Sequence, residues 1–239
     1  MAPDPIVSLS RIESAFGGLR PLRIDALSLA PGECLAVTGV DALMAEGLVS
    51  LITGARLPDR GEVSLFGRAT SAIGEADDWL ASLDRIGIVS ARAVLLDDLT
   101  AFQNVAMAFT LSIDRVPDAV GVEVRGLAAE TGLAGGALER PLRELAPLDA
   151  ARCHLARALA ASPGVLILEH ANVLAAGEAP AFGRVIRQIA LARGLALLVL
   201  TADEPFARVV SSRVCRFDPA TGRMIDRTGW RRWVRMGRS

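Results

Sequence analysis

The sequence predicts an α/β layered domain around a mainly parallel sheet. Two observations support this: continuous apolar runs of strand length at 165–168 and 195–200, and a helical pattern at 178–193 between them. Strands that are apolar at every position are typical of a parallel sheet covered by helices on both faces. With 239 residues, 51% of them hydrophobic, the chain is long enough to bury a sizeable core.

The other elements follow from local signals, taken in chain order. The first third predicts two strands, a buried strand ending at Gly39, a helix ending at Gly54, and a strand after a turn; their ranges are 6–12, 24–30, 33–38, 43–53 and 62–66. A buried strand at 86–89 follows, and after it the segment 95–108 leads to a mostly helical region at 118–161. The apolar residues of 118–161 fall on one helical face, which predicts an inserted helical subdomain.

Composition and charge exclude several function classes. The net charge is −1, so no basic face indicates nucleic acid. No apolar run approaches the roughly 18 residues of a membrane helix, and the polar start lacks a secretory signal, so we expect a cytoplasmic protein. Cys34, Cys153 and Cys215 are widely spaced among apolar neighbours, which predicts reduced core thiols and neither a disulfide nor a metal site.

The C-terminal tail, 227–239, is the one strongly basic segment. It places several arginines around Trp230 and Trp233. Basic residues interleaved with tryptophan suit an anionic lipid surface, which would place the protein peripherally at the inner membrane, or an acidic groove on a partner. A frayed terminus is the alternative interpretation.

Several framing motifs resemble those of the ATP-binding subunits of ABC transporters, in order and spacing, over residues 6–225. They are Pro31-Gly-Glu33, Leu57-Pro-Asp-Arg-Gly-Glu-Val63, Phe66-Gly67, Leu99-Thr-Ala-Phe-Gln-Asn-Val105, Leu155-Ala-Arg-Ala-Leu-Ala-Ala-Ser-Pro163 and Leu198-Val-Leu-Thr201. The resemblance implies a P-loop NTPase-like core at 1–95 and 162–226 with an antiparallel β part, and a helical subdomain at 96–161. It also implies ATP and Mg²⁺ as ligands and a transmembrane transporter subunit as partner.

The phosphate-binding loop departs from that family's pattern of glycine, two variable residues, glycine, variable, glycine, lysine, and serine or threonine. Here it reads Gly39-Val-Asp41-Ala-Leu-Met-Ala45-Glu46. Only Gly39 remains, and side chains stand where the backbone must approach phosphate. Ala45 replaces the lysine, and all 26 basic residues of the chain are arginines, none of them in the loop. Glu46 replaces the hydroxyl residue; it is either an occupant of the anion site at the helix N-terminus or an exposed first-turn acid.

The positions that carry hydrolysis in the family are also replaced. Glu169 aligns with the family's aspartate and retains a carboxylate that can hold Mg²⁺ through water. His170 aligns with the glutamate that polarises the attacking water, and it is interpreted either as a base or as a structural histidine. Ala202 replaces the histidine that senses the γ-phosphate.

Three further family positions complete the comparison. Ser90 aligns near the position where the family has a glutamine that couples nucleotide to the membrane subunit. Phe16 aligns near the position where the family has an aromatic residue that stacks on adenine. The alternative interpretation is that Phe16 packs in the core. The signature segment aligns with Leu145-Ala-Pro-Leu-Asp149, which lacks the family's serine and glycines.

These replacements lead to a hypothesis of a pseudo-ATPase that docks on a membrane subunit or on a competent ATPase. Each ATP site in the family combines the loop of one subunit with the signature of the other, so a dimer with itself or with a competent subunit would leave both sites impaired. The docking candidate implied by the resemblance is the segment 94–104. The alternative is a working ATPase that uses Phe16, residual backbone amides and Glu169, with a partner supplying the missing charge.

Overall fold

The structure is a computed structural model that describes residues 4–16, 21–133 and 135–226. Its strands are β1 (Val7–Ser14), β2 (Leu22–Leu29), β3 (Cys34–Thr38), β4 (Arg60–Leu65), β5 (Arg68–Ala69), β6 (Ile86–Ser90), β7 (Val165–Glu169), β8 (Ala196–Thr201), β9 (Arg213–Asp218) and β10 (Arg223–Asp226). Its helices are α1 (Ala42–Ile52), α2 (Ala76–Leu83), α3 (Ala101–Ala106), α4 (Asp118–Thr131), α5 (Gly135–Leu138), α6 (Pro147–Leu159), α7 (Ala179–Arg193) and α8 (Glu204–Val210). Short 3₁₀ turns lie at Thr70–Ala72, Leu142–Glu144 and Ala171–Ala175.

All the described strands join one sheet in the order β5-β4-β1-β2-β10-β9-β3-β8-β7-β6. The strands β9, β3, β8, β7 and β6 are parallel. At the other end, β1 pairs antiparallel with both β2 and β4. The predicted α/β class, with a mainly parallel sheet and an antiparallel part, is confirmed.

Two hydrophobic cores cover the two faces of the sheet. Alternate residues of β7 and β8 point to opposite faces, so Leu168 and Val199 join the core under α3, α4, α6 and α7. Ile167 and Leu198 join the core under α1 and the antiparallel strands. This double burial explains why these strands read as unbroken apolar runs. The three cysteines are all buried, as their apolar neighbours predict.

In segment 95–108, local hydrogen bonds hold the residues before position 101 in a loop. Helix α3 begins after Thr100, whose side chain accepts a hydrogen bond from the amide of Gln103 while the Gln103 side chain accepts one from the amide of Thr100. The buried Asn104 side chain binds both the amide and the carbonyl of Leu96. A capping box and a buried amide thus fix this loop. The elements α2, α8, β5, β9 and β10 were not predicted from the sequence.

The half-buried His154 on α6 makes stability depend on pH. Burial, with a smaller contribution from Arg157, lowers the pKa of His154 to about 4 from an ordinary value of 6.5. Between these values the unfolded chain binds a proton here and the folded chain does not, so acid favours unfolding. We expect the free energy of unfolding to fall between pH 7 and 4.5 by about 2 kcal/mol more in the natural protein than in His154→Gln, less than full linkage because the ring is partly exposed. Urea unfolding of both proteins at the two pH values measures this difference, and equal losses would contradict it.

Candidate functional site

The predicted site positions meet at one edge of the sheet, where parallel strands end. The register pairs Ser90 with Glu169 across β6 and β7, and Thr38 with Thr201 across β3 and β8. Gly39 follows Thr38 directly. Ligands of open α/β sheets bind outside the carboxyl ends of the strands, so this edge is the candidate site.

Asp41 occupies the N-terminus of α1, the place where a phosphate would bind in a phosphate-binding loop. Its carboxylate accepts a hydrogen bond from the amide of Met44 at 2.8 Å. Helix α1 has no acidic residue in its first turn, since Glu46 lies one turn further along. The interpretation of Glu46 as a first-turn acid is therefore wrong, and Asp41 is the residue that satisfies the free amide.

Two side chains of the loop are buried in the protein core, while most of its other residues are exposed. Val40 and Ala45 are both fully buried in the core beneath α1. Gly39 has a φ of +77°, and a Cβ added there would lie 2.6 Å from the carbonyl oxygen of Phe217. The one glycine kept from the family pattern is therefore required by the fold itself.

Arg92 joins two of the predicted site residues in an ion-pair cluster. Its Nε and Nη2 donate to the two carboxylate oxygens of Glu169 at 2.9 and 2.7 Å, and its Nη1 lies 3.1 Å from Oε1 of Glu46. The side chain of Glu169 is only 5% exposed, whereas those of Arg92 and Glu46 are 50% and 49% exposed. The hydrogen bond to Glu169 raises the pKa of Arg92, so the guanidinium stays charged. We call Glu46, Arg92 and Glu169 the arginine clamp.

Arg92 lies outside every motif and was not among the predicted site residues. Its only signal is its place two residues after β6, the strand that pairs with β7. Its amide also donates to the hydroxyl of Ser90 at 3.1 Å, which turns the chain back toward the strand ends. Ser90 thereby positions Arg92, a contact that its alignment near the family glutamine did not predict.

The clamp neutralises carboxylates at the position where the resemblance implies Mg²⁺. A guanidinium has five donors and no acceptor, so it balances these acids but has no ligand for a metal ion. Asp41 accepts from the amide of Met44 and Glu46 pairs with Arg92, and residues 39–46 of the loop include no cation of their own. A guanidinium of the chain itself thus binds the carboxylates at the positions where the resemblance implies Mg²⁺.

The residues after β7 and β8 bind one another. The Thr201 hydroxyl donates to Oδ1 of Asn172 at 2.9 Å and accepts from the amide of Asp203 at 3.0 Å. His170 has a left-handed backbone with φ +47°, and its Nε2 is buried without a hydrogen-bond partner in the described residues. Ala202 presents an exposed methyl group. At this edge the Nε2 atom of position 170 is therefore buried, and position 202 has no imidazole.

The ring of Phe16 packs against helix α1. A Cβ added to Gly47 would meet its ring at 2.6 Å, so the ring rests directly on the helix backbone, and the Arg56 guanidinium carbon lies 5.0 Å from the ring centroid. The pocket beside it, lined by Leu43 and Glu46 among others, has a volume of about 140 Å³. Pockets for small molecules usually span roughly 300–1,000 Å³. This arrangement is that of a packed side chain.

The signature segment begins α6 without an anion-binding group. Pro147 is the first helical residue and has no N–H, and Ala146 before it makes no side-chain cap. Asp149 lies in the first turn and pairs with Arg152 at 2.9 Å. An acid with its own partner thus stands where the family's segment meets the phosphate of the opposite subunit.

The chain resembles curated ABC ATP-binding proteins. No protein-family model matches it. The lipoprotein-releasing system ATP-binding protein LolD of Xanthomonas campestris pv. campestris (strain 8004) is 32% identical over 183 residues, which cover 76% of this chain and 76% of that relative. The methionine import ATP-binding protein MetN of Brucella abortus (strain 2308) is 30% identical over 216 residues, 90% of this chain, and the chain spans 58% of the length of that protein.

Solved structures share the fold at lower identity. CbiO1 from Clostridium perfringens, part of the ABC transporter complex cbiONQ, superposes with a TM-score of 0.76 at 18% identity, covering 93% of this chain and 87% of the other. MJ0796, a bacterial ABC transporter cassette with a dimeric structure, has a TM-score of 0.74 at 18% identity, covering 92% and 97%. None of the described helices is long and apolar enough to cross a membrane. With a 32% identical relative covered over most of its length, this chain belongs to the family of ABC transporter ATP-binding subunits.

Proposed function

We propose that this protein is a pseudo-ATPase that docks on a transmembrane transporter subunit, or on a competent ATPase subunit, at the cytoplasmic face of the membrane. It neither binds nor hydrolyses ATP. The observation that carries the proposal is the arginine clamp, in which a side chain of the protein balances the carboxylates Glu46 and Glu169. The site already holds its own cation.

Electrostatics at the loop oppose a nucleotide. The loop has lost the lysine charge at Ala45 and has gained acids at Asp41 and Glu46. Two unit charges about 4 Å apart repel by about 4 kcal/mol at an effective dielectric of 20, so a triphosphate placed here meets repulsion. The only cation that contacts Glu46 in the described residues is Arg92, which is shared with Glu169.

The rival function is an ATPase in which Arg92 leaves the clamp and supplies the missing positive charge to a phosphate. The position of Arg92 beside the loop is the observation that favours it. The burial of Glu169 argues against it, because Arg92 would have to leave a nearly fully buried carboxylate without its partner. Removing one partner of a buried ion pair while the other stays buried destabilises a protein by about 3–5 kcal/mol.

The docking candidate, segment 94–104, supports a role in binding. Val94 is 70% exposed and Leu96 is 43% exposed, on either side of the buried Leu95. The buried Asn104 binds the backbone of Leu96 and Leu99, so the loop is held in one shape before any partner arrives. Exposed apolar side chains on a preorganised loop suit a protein partner.

Calorimetric titration of the purified protein with magnesium-ATP tests the proposal. We expect no binding heat up to about 1 mM ATP. A dissociation constant of about 1 mM corresponds to a binding free energy of about −4 kcal/mol. A LolD-type relative titrated under the same conditions is the positive control.

Micromolar binding by the natural protein would overturn the pseudo-ATPase. The variant Arg92→Ala then identifies the cause. If that binding is lost in the variant, the guanidinium holds the phosphate and the rival function is established. If it persists, the nucleotide binds through other groups, and Phe16 with the surrounding pocket becomes the site to test.

A further inference from the structure

Segment 91–94 connects strand β6 to the docking candidate, and its two sides are held by different parts of the fold. On one side, Arg92 binds Glu46 of α1 and Glu169 of β7. Glu169 is the last residue of β7, and Glu46 lies on the helix that follows β3. The segment is thus tied to the sheet through one side chain with three polar contacts.

On the other side, helix α6 holds the backbone of the same segment. Arg157 donates from Nη1 to the carbonyl of Val94 at 2.7 Å and from Nη2 to the carbonyl of Ala93 at 2.9 Å. Helix α6 packs under the sheet, with Leu155 and Leu159 fully buried in the core shared with α3 and α4. The side chain of Arg92 thus connects the segment to β7 and α1, and Arg157 connects the next two residues to α6.

These connections continue into the rest of the docking candidate. The amide of Arg143 donates to the carbonyl of Asp97 at 3.2 Å, and the Arg143 side chain pairs with Asp98. Leu142 donates to the carbonyl of Leu99 at 2.9 Å. Residues 92–99 are consequently connected to the sheet at one end and to the helices at the other by hydrogen bonds within the chain.

We propose that Arg92 and Arg157 form a ligand-independent latch, which fixes the segment 91–97 between the sheet and helix α6 and keeps Val94 and Leu96 in one binding arrangement. The proposal rests on the pseudo-ATPase function, because a latch made of side chains replaces any role of a bound nucleotide in setting this loop. A partner would then meet the same surface at all ATP concentrations. Such preorganisation favours binding, since less ordering is left to the moment of association.

Hydrogen exchange followed by mass spectrometry tests the latch, with exchange of 91–97 measured relative to the core strand β8. Arg157→Met removes both carbonyl contacts, and Arg92→Lys keeps the charge but loses the fork that binds two carboxylate oxygens. We expect 91–97 to exchange at least about tenfold faster in each variant, as expected for losing charged hydrogen bonds in a locally opening segment. Arg208→Met, which removes an exposed pair with Glu204 on α8, is the matched control and leaves 91–97 unchanged.

Two outcomes would overturn the latch. Exchange of 91–97 in Arg157→Met that equals the control would mean that the carbonyl contacts hold nothing. Acceleration shared equally by β8 would mean that the arginines contribute only to global stability. Neither outcome changes the result of the calorimetric titration, so the pseudo-ATPase proposal would stand without the latch. If magnesium-ATP binds to the natural protein and slows exchange of 91–97, both the latch and the pseudo-ATPase are overturned.

Discussion

Replacing Arg92 by methionine is expected to lower the free energy of unfolding by about 3 kcal/mol, near the lower end of the range for breaking a buried pair because the arginine itself is half exposed. The variant leaves Glu169 charged, 5% exposed and without its main partner. It also releases Glu46, which is half exposed and can be solvated by water. Urea unfolding at pH 7 measures the change through the transition midpoint.

The second variant, Arg92→Met with Glu169→Gln, removes the buried charge and is expected to recover about half of that loss, because a neutral amide costs less to bury than a carboxylate. Arg208→Met removes an exposed helical pair and is expected to change stability by about 0.5 kcal/mol or less. If Arg92→Met lowers the free energy of unfolding no more than Arg208→Met does, the clamp is only a surface contact and Arg92 does not balance a buried charge.

The clamp shows where sequence reasoning stops. Arg92 lies 77 residues from Glu169 in the chain, and no motif joins them. They meet because β6 and β7 pair in the register that sets Ser90 opposite Glu169. Strand order and register are tertiary properties, and periodicity in one segment does not contain them. The sequence therefore predicted that no cation lies in the loop, but not that Arg92, from the segment after β6, contacts Glu46.

The fold itself could be predicted well for a physical reason. Strands β3, β7 and β8 are buried at every position, so their sequences carry a strong and continuous signal. Elements that were missed have weaker patterns: α2 has no buried residue, and β5 is two residues long. The predicted bounds of α1, 43–53, differ by one residue from the observed ones, because the Asp41 side chain caps the helix before Ala42.

The interpretation of Phe16 could not be decided from spacing. A phenylalanine that stacks on adenine and a phenylalanine that packs in the core have the same residue type and the same spacing in the sequence. Gly47 gives a local signal in retrospect, because a glycine within a helix often marks the close approach of another group. In the structure that group is the Phe16 ring.

Gly39→Ala is expected to destabilise the protein by about 3 kcal/mol or more, the sum of left-handed backbone strain of about 1–2 kcal/mol and a clash that the backbone cannot relieve. The φ of Gly39 is +77°, and the new Cβ would lie 2.6 Å from the Phe217 carbonyl oxygen on β9. Gly67→Ala is the matched control, because Gly67 has nearly the same φ, +79°, and nothing within 4 Å of an added Cβ.

The difference between these two variants isolates the clash from the backbone strain, and urea unfolding measures both. We expect Gly67→Ala to lower the free energy of unfolding by about 1–2 kcal/mol, the cost of the left-handed conformation alone. Equal losses in the two variants would show that β9 yields at Phe217 and that the fold does not require a glycine at position 39. A larger loss for Gly39 explains why this glycine remains in a loop that has lost the other features of a phosphate site: it is needed for the contact between β3 and β9, with or without a nucleotide.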